Sequence, residues 1–397
     1  MEASLNEFYD HVIIRFSGEI WLKKVWTRKR YERTLSKNLK TALKTFKVPY
    51  KGVVRRHSRF YLETHAAEAS AQKLSKIFGI SSVSPAVKTS SDLNEILQKS
   101  MMLADIVLKK GNRFAVVCKR VGNQGYTSGD VRKQLGQQVM DRYGEKLNLK
   151  VDLGNPDVVL GVEIRDKEAF IYSTIIEGVG GMPLGTQPKL IGLFSGGIDS
   201  PVALWLVMKR GSPVVFVYFD LTPYADDTTT QRALKVAEVL FGYAMGYPRK
   251  VYIVQHGDNL KEIMKTNRKY SCLLCKRMMY RVAEKLAEQL GTEGIVTGEA
   301  IGEQASQTLT NLRVLDSAVK NYPVHRPLLG FDKSETEAIA RKIGTYEASS
   351  TKATGCGAVP YSPSTMAKME DVLYAAQRLD IESMVKRSLE SIKIVEL

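Results

Sequence analysis

Apolar positions along the first ninety residues change their period several times. His11-Val-Ile-Ile-Arg-Phe16 is a short, nearly continuous apolar run and predicts a strand. From Thr27 to Phe46, Tyr31, Leu35, Leu39, Ala42, Leu43 and Phe46 recur at three- and four-residue spacing, which predicts a helix with one buried face. Val53 to Arg56 and Arg59 to Glu63 read as two strands, Ala66 to Phe78 as a second helix, and Ser82 to Val87 as a further extended segment. The order strand, helix, strand, strand, helix, strand is that of a ferredoxin-like α+β sandwich, assigned to residues 1–90.

A second α/β unit is expected over residues 91–177. It holds a helix from Asp92 to Lys109, a strand at Arg113 to Arg120, a helix from Ser128 to Tyr143, and strands at Val158 to Ile164 and Ala169 to Thr174. Thr127 or Ser128 is the expected cap of its second helix, because a hydroxyl there can accept from free N–H groups of the first turn. Gly178-Val-Gly-Gly-Met-Pro-Leu-Gly185 reads as a linker. It is no dinucleotide fingerprint, since the third glycine would fall on Pro183. In the third domain, 178–397, strands at Leu190 to Phe194, Pro213 to Phe219, Lys250 to Val254 and Gly294 to Thr297 alternate with helices near 200–210, 230–245, 258–266 and 276–290. That alternation predicts a doubly wound parallel sheet with its ligand at the carboxyl ends of the strands.

Charge adds a partner to this outline. The 397 residues carry a net charge of +16. Residues 21–60 alone hold fourteen Lys or Arg against one acid, Glu32. Lys29, Arg33, Lys37, Lys40, Lys44 and Lys47 lie largely outside the apolar stripe, so much of this block is the solvent face of one helix. A block of one sign points to a polyanion; the plainer reading is a solvated basic surface. No large apolar helix face accompanies the charges, which argues against a membrane surface, and no run is long enough for a membrane span. The first residues lack the pattern of a secretory leader, so a cytoplasmic protein is expected. Four cysteines, Cys118, Cys272, Cys275 and Cys356, make no disulfide framework. Cys118 sits in a strand and is expected to pack in the core.

The chemistry concentrates at Leu193-Phe-Ser-Gly-Gly-Ile-Asp-Ser-Pro201. An apolar strand runs into this segment and a helix leaves it. Gly196 and Gly197 let backbone N–H groups close on a phosphate, and the helix start adds donors and positive potential. Ser195 and Ser200 add hydroxyls. Asp199 is out of place in an anion site unless a cation such as Mg²⁺ is shared with the phosphates. The P-loop pattern G-x-x-x-x-G-K-[ST] is absent, which excludes that class of kinase and GTPase.

This string resembles the PP-loop ATP pyrophosphatases, which cleave ATP between the α- and β-phosphates and pass AMP to a substrate oxygen. Further segments are similar to the tRNA 4-thiouridine synthetases: Thr297-Gly-Glu-Ala-Ile-Gly-Glu-Gln-Ala-Ser-Gln-Thr-Leu-Thr-Asn-Leu312, Lys276-Arg-Met-Met279, Arg326-Pro-Leu-Leu-Gly330, and Arg15-Phe-Ser-Gly-Glu-Ile-Trp-Leu-Lys23, where Phe16 and Ser17 replace the usual Tyr-Gly. Val151-Asp-Leu-Gly-Asn-Pro-Asp157 with the strands after it resembles a THUMP RNA-binding domain. The resemblance implies activation of O4 of uridine eight in tRNA by ATP, followed by displacement of AMP by sulfur. It further implies that Leu193, Phe194, Tyr218, Phe219, Lys276 or Arg277, Gly298 and Gln307 complete the ATP site begun by Ser195, Gly196, Gly197, Asp199 and Ser200. Lys23, Lys24, Arg28, Lys29, Arg30, Arg55 and Arg56 become the expected tRNA phosphate contacts. A homodimer is expected by the same analogy.

Cys272-Leu-Leu-Cys275 on its own fits zinc, a redox pair or packing, and no obvious fourth zinc ligand stands nearby in sequence. Many members of the resembled family end in a rhodanese-like domain, for which residues up to Leu397 leave no room. Members without it resemble this chain in pairing such a C-x-x-C with a cysteine like Cys356. They imply a 4Fe-4S cluster on Cys272, Cys275 and Cys356 that takes sulfide, with a persulfide on Cys356 as the alternative. Two other classes stay open: a PP-loop ligase for a small molecule, which leaves the basic block unexplained, and an RNA-binding protein with an inactive nucleotide fold, which leaves Asp199 and the cysteines unexplained.

Overall fold

The computed structural model describes residues 5–397, so the leader reading at residues 1–4 lies outside the described residues. The chain forms two compact units, one through Met182 and one from Pro183. The expected division near 178 lies a few residues before this break, and the one at 90 lies inside the first unit.

The first unit contains α1 (Leu5–Phe8), β1 (His11–Phe16), α2 (Gly18–Trp21), α3 (Val25–Thr45), β2 (Gly52–Arg56), β3 (Arg59–Glu63), α4 (Ala67–Leu74) and β4 (Ile80–Ser90). It continues with α5 (Leu93–Val107), β5 (Arg113–Val121), α6 (Ser128–Tyr143), β6 (Lys150–Val151), β7 (Val158–Arg165), β8 (Glu168–Tyr172) and β9 (Ile176–Glu177). One sheet runs β2-β3-β1-β4-β8-β7-β5-β6, with β9 added beside β4. Its first four strands are antiparallel in the ferredoxin-like order.

The strand β4 runs from the first expected domain to the edge of the second. It is eleven residues long. Ile80 to Ala86 pair with β1, and Val87 to Ser90 pair with β8. The short extended segment expected at 82–87 is the middle of a strand shared by both halves. The helix α3 buries Tyr31, Leu35, Leu39, Ala42 and Leu43 as its period requires, and leaves Lys29, Arg33, Lys37, Lys40 and Lys44 exposed, with Lys47 exposed just beyond its end. Thr127 caps α6 in a reciprocal capping box with Asp130. Cys118 is half-buried instead of a core residue, and burial pushes its thiol up to about 11.

The second unit holds β10 (Leu190–Leu193), α7 (Asp199–Lys209), β11 (Val214–Asp220), α8 (Asp227–Phe241), β12 (Lys250–Gln255), α9 (Gly257–Thr266), α10 (Ser271–Leu290) and β13 (Ile295–Val296). After these come α11 (Leu309–Asp316), β14 (Val324–His325), α12 (Lys333–Ile343), α13 (Tyr346–Ser349), α14 (Met369–Ala376), α15 (Ile381–Glu390) and β15 (Lys393–Glu396). The sheet order is β14-β13-β10-β11-β12-β15. Five strands are parallel, as the alternation predicts, but β15 lies antiparallel on β12 at one edge. β10 and β11 are central, so the loop after β10 opens at the carboxyl edge of the sheet.

The helix α10 starts five residues earlier than its expected start at 276. Leu273, Leu274, Cys275, Met278, Val282 and Ala283 form one continuous buried stripe, so Cys272 and Cys275 belong to its first turns. No helix among the described residues is long and apolar enough to cross a membrane.

Candidate functional site

The loop between β10 and α7 is built by its own small residues. Ser195 N–H donates to Ser200 Oγ at 3.0 Å, which folds the loop back on the helix start. Gly196 adopts φ +74°, and a Cβ there would stand 2.7 Å from Ala233 Cα on α8. Gly298, just after β13, is equally constrained: its Cβ would stand 2.5 Å from both N and Cα of Ser200. Both sites require glycine, the first for its φ and both for a backbone at contact distance. Gly196 thus lets the loop lie against α8, and Gly298 lets the segment after β13 lie against the start of α7.

A cavity of about 500 Å³ opens over this loop. Leu193, Phe194, Ser195, Asp199 and Ser200 form one wall, and Tyr218 and Phe219 at the end of β11 form the next. Lys276, Gly298 and Gln307 complete the expected set, and Cys272, Cys275 and Cys356 line the same space. Gly196 and Gly197 shape the turn beneath it. Arg277 does not join them. One residue further round α10, it reaches the Val314 carbonyl and the Ser317 hydroxyl, so Lys276 is the cavity cation of that pair.

Lys276 is held in place by a buried carboxylate. Its Nζ donates to Glu299 Oε1 at 3.1 Å, while Tyr280 (2.6 Å), Arg326 Nε (2.9 Å) and Thr297 (3.1 Å) donate to Oε2. Burial alone would raise the Glu299 pKa, but Lys276, Tyr280 and Arg326 outweigh it and hold the carboxyl below its ordinary value. Glu299 is therefore charged and saturated, and it serves as an anchor rather than a base.

Asp199 has a partner that its sequence context did not announce. Lys333 Nζ, from the first turn of α12, donates to Asp199 Oδ1 at 2.7 Å and also contacts Glu303. Burial raises the Asp199 pKa, with Glu303 adding to that shift and Lys333 opposing it. In this structure the cation beside Asp199 is an ammonium group. Two more groups point to a ligand: Arg232 Nε and Gln307 Oε1 are buried without a hydrogen-bond partner, and both residues line the cavity. Buried polar atoms rarely stay unpaired, so a donor left over and an acceptor left over describe part of what binds there. Gln307 lies in a buried 3-10 turn.

The three cysteines share one environment. Burial raises the Cys275 thiol, and charge on Cys356 and Cys272 would raise it further; burial and then Cys356 raise Cys272. His256, fully buried, stands with Nε2 3.4 Å from Cys275 Sγ, backed by Asn259 and through it Ser388. Burial holds His256 down to about 4, so its ring is neutral at neutral pH. No local signal marked His256, which arrives from the end of β12. Three thiols on one wall match an iron–sulfur donor set by chemistry. As placed, no three of the described His, Cys, Asp and Glu residues are arranged to hold a metal ion.

In the first unit, Lys24, Lys29, Arg30 and Arg55 are exposed, while Lys23, Arg28 and Arg56 are half-buried. Arg55 pairs with Glu32 at 3.1 Å and Arg56 with Glu168 at 2.9 Å, so two of the seven expected phosphate contacts already have carboxylate partners.

Comparison with known proteins follows the same division. Residues 185–381 match the family described as thiamine biosynthesis protein (ThiI), 11–84 the ThiI ferredoxin-like domain, and 90–174 the THUMP domain. A probable tRNA sulfurtransferase of Methanosarcina mazei is 39% identical over 97% of this chain and 95% of its own length. One from Caldanaerobacter subterraneus subsp. tengcongensis is 39% identical over 96% and 99%. Among solved structures, a 4-thiouridine synthetase–RNA complex with bound ATP superposes with a TM-score of 0.84 at 33% identity, covering 98% of this chain and 99% of that one. PH1313 from Pyrococcus horikoshii gives 0.67 at 26% identity, over 84% and 99%.

Proposed function

The chain belongs to the ThiI family of tRNA sulfurtransferases, and we propose that it converts uridine eight of tRNA to 4-thiouridine by adenylating O4 and then exchanging AMP for sulfur. The observation that carries this reading is that Ser195, Asp199 and Ser200 of the glycine-rich loop and three cysteines line one cavity. ATP lies with its phosphates on Ser195 to Ser200 and its adenosine toward Leu193, Phe194, Tyr218 and Phe219, with Lys276, Gly298 and Gln307 around it. O4 attacks the α-phosphorus and pyrophosphate leaves. Negative charge builds on the leaving group, and the loop N–H groups, with the Lys333 ammonium beside Asp199, would be its donors. A Mg²⁺ arriving with ATP would use Asp199 and Glu303, the two carboxylates now sharing Lys333. Adenylation is needed because a carbonyl oxygen is a poor leaving group and AMP a good one.

For the sulfur step, Cys272, Cys275 and Cys356 are the residues that would hold a 4Fe-4S cluster, on drawing closer than they stand here, and the cluster would supply a binding position for sulfide. The protein's part is to present three thiols beside the adenylated base. The lining of one cavity by Cys272 and Cys356 also supports a second reading. A Cys356 persulfide attacks C4, AMP leaves, and Cys272 then attacks the Cys356 sulfur. That releases 4-thiouridine and leaves a Cys272–Cys356 disulfide for an external thiol to reduce. The donor is accordingly sulfide or a persulfide carrier. By likeness to the family the assembly is a homodimer, which sedimentation measures.

The test is reconstitution of anaerobically purified protein with ATP, unmodified tRNA and sulfide. The expected result is AMP, pyrophosphate and 4-thiouridine, detected by nucleoside mass spectrometry and abolished by Asp199→Asn. Full activity of Asp199→Asn would overturn the ATP-site assignment. Iron-free, colourless protein that still thiolates would overturn the cluster, and its doing so from a persulfide donor but not from sulfide would favour the Cys356 persulfide.

A further inference from the structure

The corner between α2 and α3 exposes apolar surface that the fold does not use. Trp21 is 51% exposed, Leu22 84%, Val25 57% and Trp26 74%, within six consecutive residues. Elsewhere α3 directs its apolar stripe inward, so this cluster is not spillover from a core face. Ile20, fully buried, pins α2 beneath it. Both indoles carry arginines: Arg28 Cζ stands 4.6 Å from the Trp21 ring centroid and Arg30 Cζ 5.7 Å from that of Trp26. A guanidinium on one face of an indole restrains the ring and leaves the opposite face for another flat group. Lys23, Lys24 and Lys29 surround the pair with charge.

We infer that Trp21 and Trp26 form a stacking platform for unpaired bases of the tRNA, flanked by cations that hold the adjoining phosphates. The inference rests on tRNA being the partner. Every base presents a π-face, so aromatic side chains among basic residues suit single-stranded nucleic acid without reading its sequence. The charge favours that occupant over a protein surface. The small extent of the patch, with α3's own apolar face already buried, disfavours a lipid surface.

Tryptophan fluorescence tests it. Of the three tryptophans, Trp205 is buried, so acrylamide-accessible emission reports Trp21 and Trp26. Intact tRNA is expected to quench and protect that emission, and a fully paired RNA of similar length to do so far less. Trp21→Ala and Trp26→Ala are each expected to weaken tRNA binding about 5- to 150-fold, with the salt dependence of affinity unchanged. Trp26→Phe should recover most of the loss. The stacking platform is overturned if both alanine variants bind within twofold of the parent, or if paired RNA quenches as strongly as tRNA. It is also overturned if phosphatidylserine vesicles shift the emission while tRNA does not. If the parent retains no tRNA on a filter, the proposed function itself fails, which is a different outcome from intact binding without quenching.

Discussion

Glu163 in the first unit and Glu299 in the second are both buried carboxylates facing several cations, yet their surroundings assign them different work. Glu163 on β7 meets Arg15 of β1 (3.3 Å), Arg59 of β3 (3.1 Å) and Arg165 of its own strand (2.8 Å), with Tyr61 donating as well. All three arginines are enclosed, and Arg15 also lies over the ring of Tyr172. The cluster joins β1 and β3 of the ferredoxin-like half to β7 of the other half. Glu299 has a similar set of donors, but one of its cations, Lys276, lines the cavity and is a quarter exposed. The same chemistry is a fastener where every cation is sealed, and a positioning device where one of them faces a ligand space.

The sealed cluster should show the larger effect on breaking. Glu163→Gln would leave three arginines with no neutralising charge, and removing one side of a buried ion pair costs about 3–5 kcal/mol. Denaturant unfolding is expected to show that loss, and a change below about 1 kcal/mol would mean the cluster is not a fastener. The pH dependence carries a sign. Burial alone would raise the Glu163 pKa, but Arg15, Arg59 and Arg165 win and hold it below its ordinary value of 4.5. A depressed carboxyl stabilises the fold above its unfolded pKa and loses that contribution as pH falls through the folded one. The gap between parent and Glu163→Gln should therefore be full at neutral pH and close only in acid.

Breaking the second carboxylate should spare the fold more and cost the chemistry. Glu299→Gln keeps Arg326 paired with Asp316, 2.6 Å away, but frees Lys276 from its anchor. Misplacing a group by about 1 Å can cost on the order of 100-fold in rate. Pyrophosphate release is expected to fall by about that factor, with tRNA affinity unchanged. Equal losses in ATP turnover and tRNA binding would mean that the substitution unfolds the protein instead.

This pairing also marks what sequence reading could reach. The loop from Ser195 to Ser200 was legible because a strand, two glycines and a helix start are local features in a fixed order. Glu299 and Lys276 sat inside recognisable segments, but their contact joins β13 to α10 and is made only by folding. Lys333, Arg232 and His256 were invisible for the same reason: each reaches the site from an element whose position depends on the sheet order. Lys276 and Arg277 were equal candidates because adjacent helix residues differ by about 100° in direction, and only packing decides which faces the cavity. Glu163 went unread because a single glutamate in a strand resembles a solvent-facing residue until three arginines from two halves converge on it. That β4 pairs with both halves was hidden in the same way, since pairing partners leave no mark on a strand's own residues.

The smallest effect belongs to charges that never leave water. Lys24 and Lys29 are exposed, so each would gain little from a single phosphate at physiological salt. Lys24→Ala or Lys29→Ala is expected to weaken tRNA binding only severalfold. Each should also make the slope of log affinity against log salt shallower by about 0.7–0.9, the signature of one fewer displaced counterion. The buried carboxylates give the contrast: neither Glu163→Gln in folded protein nor Glu299→Gln should move that slope, because neither changes a charge that meets phosphate. If Lys29→Ala leaves the slope untouched, Lys29 is not a phosphate contact. The polyanion would then be held by the other basic residues of this face, and α3 would owe its charge at that position to solvation alone.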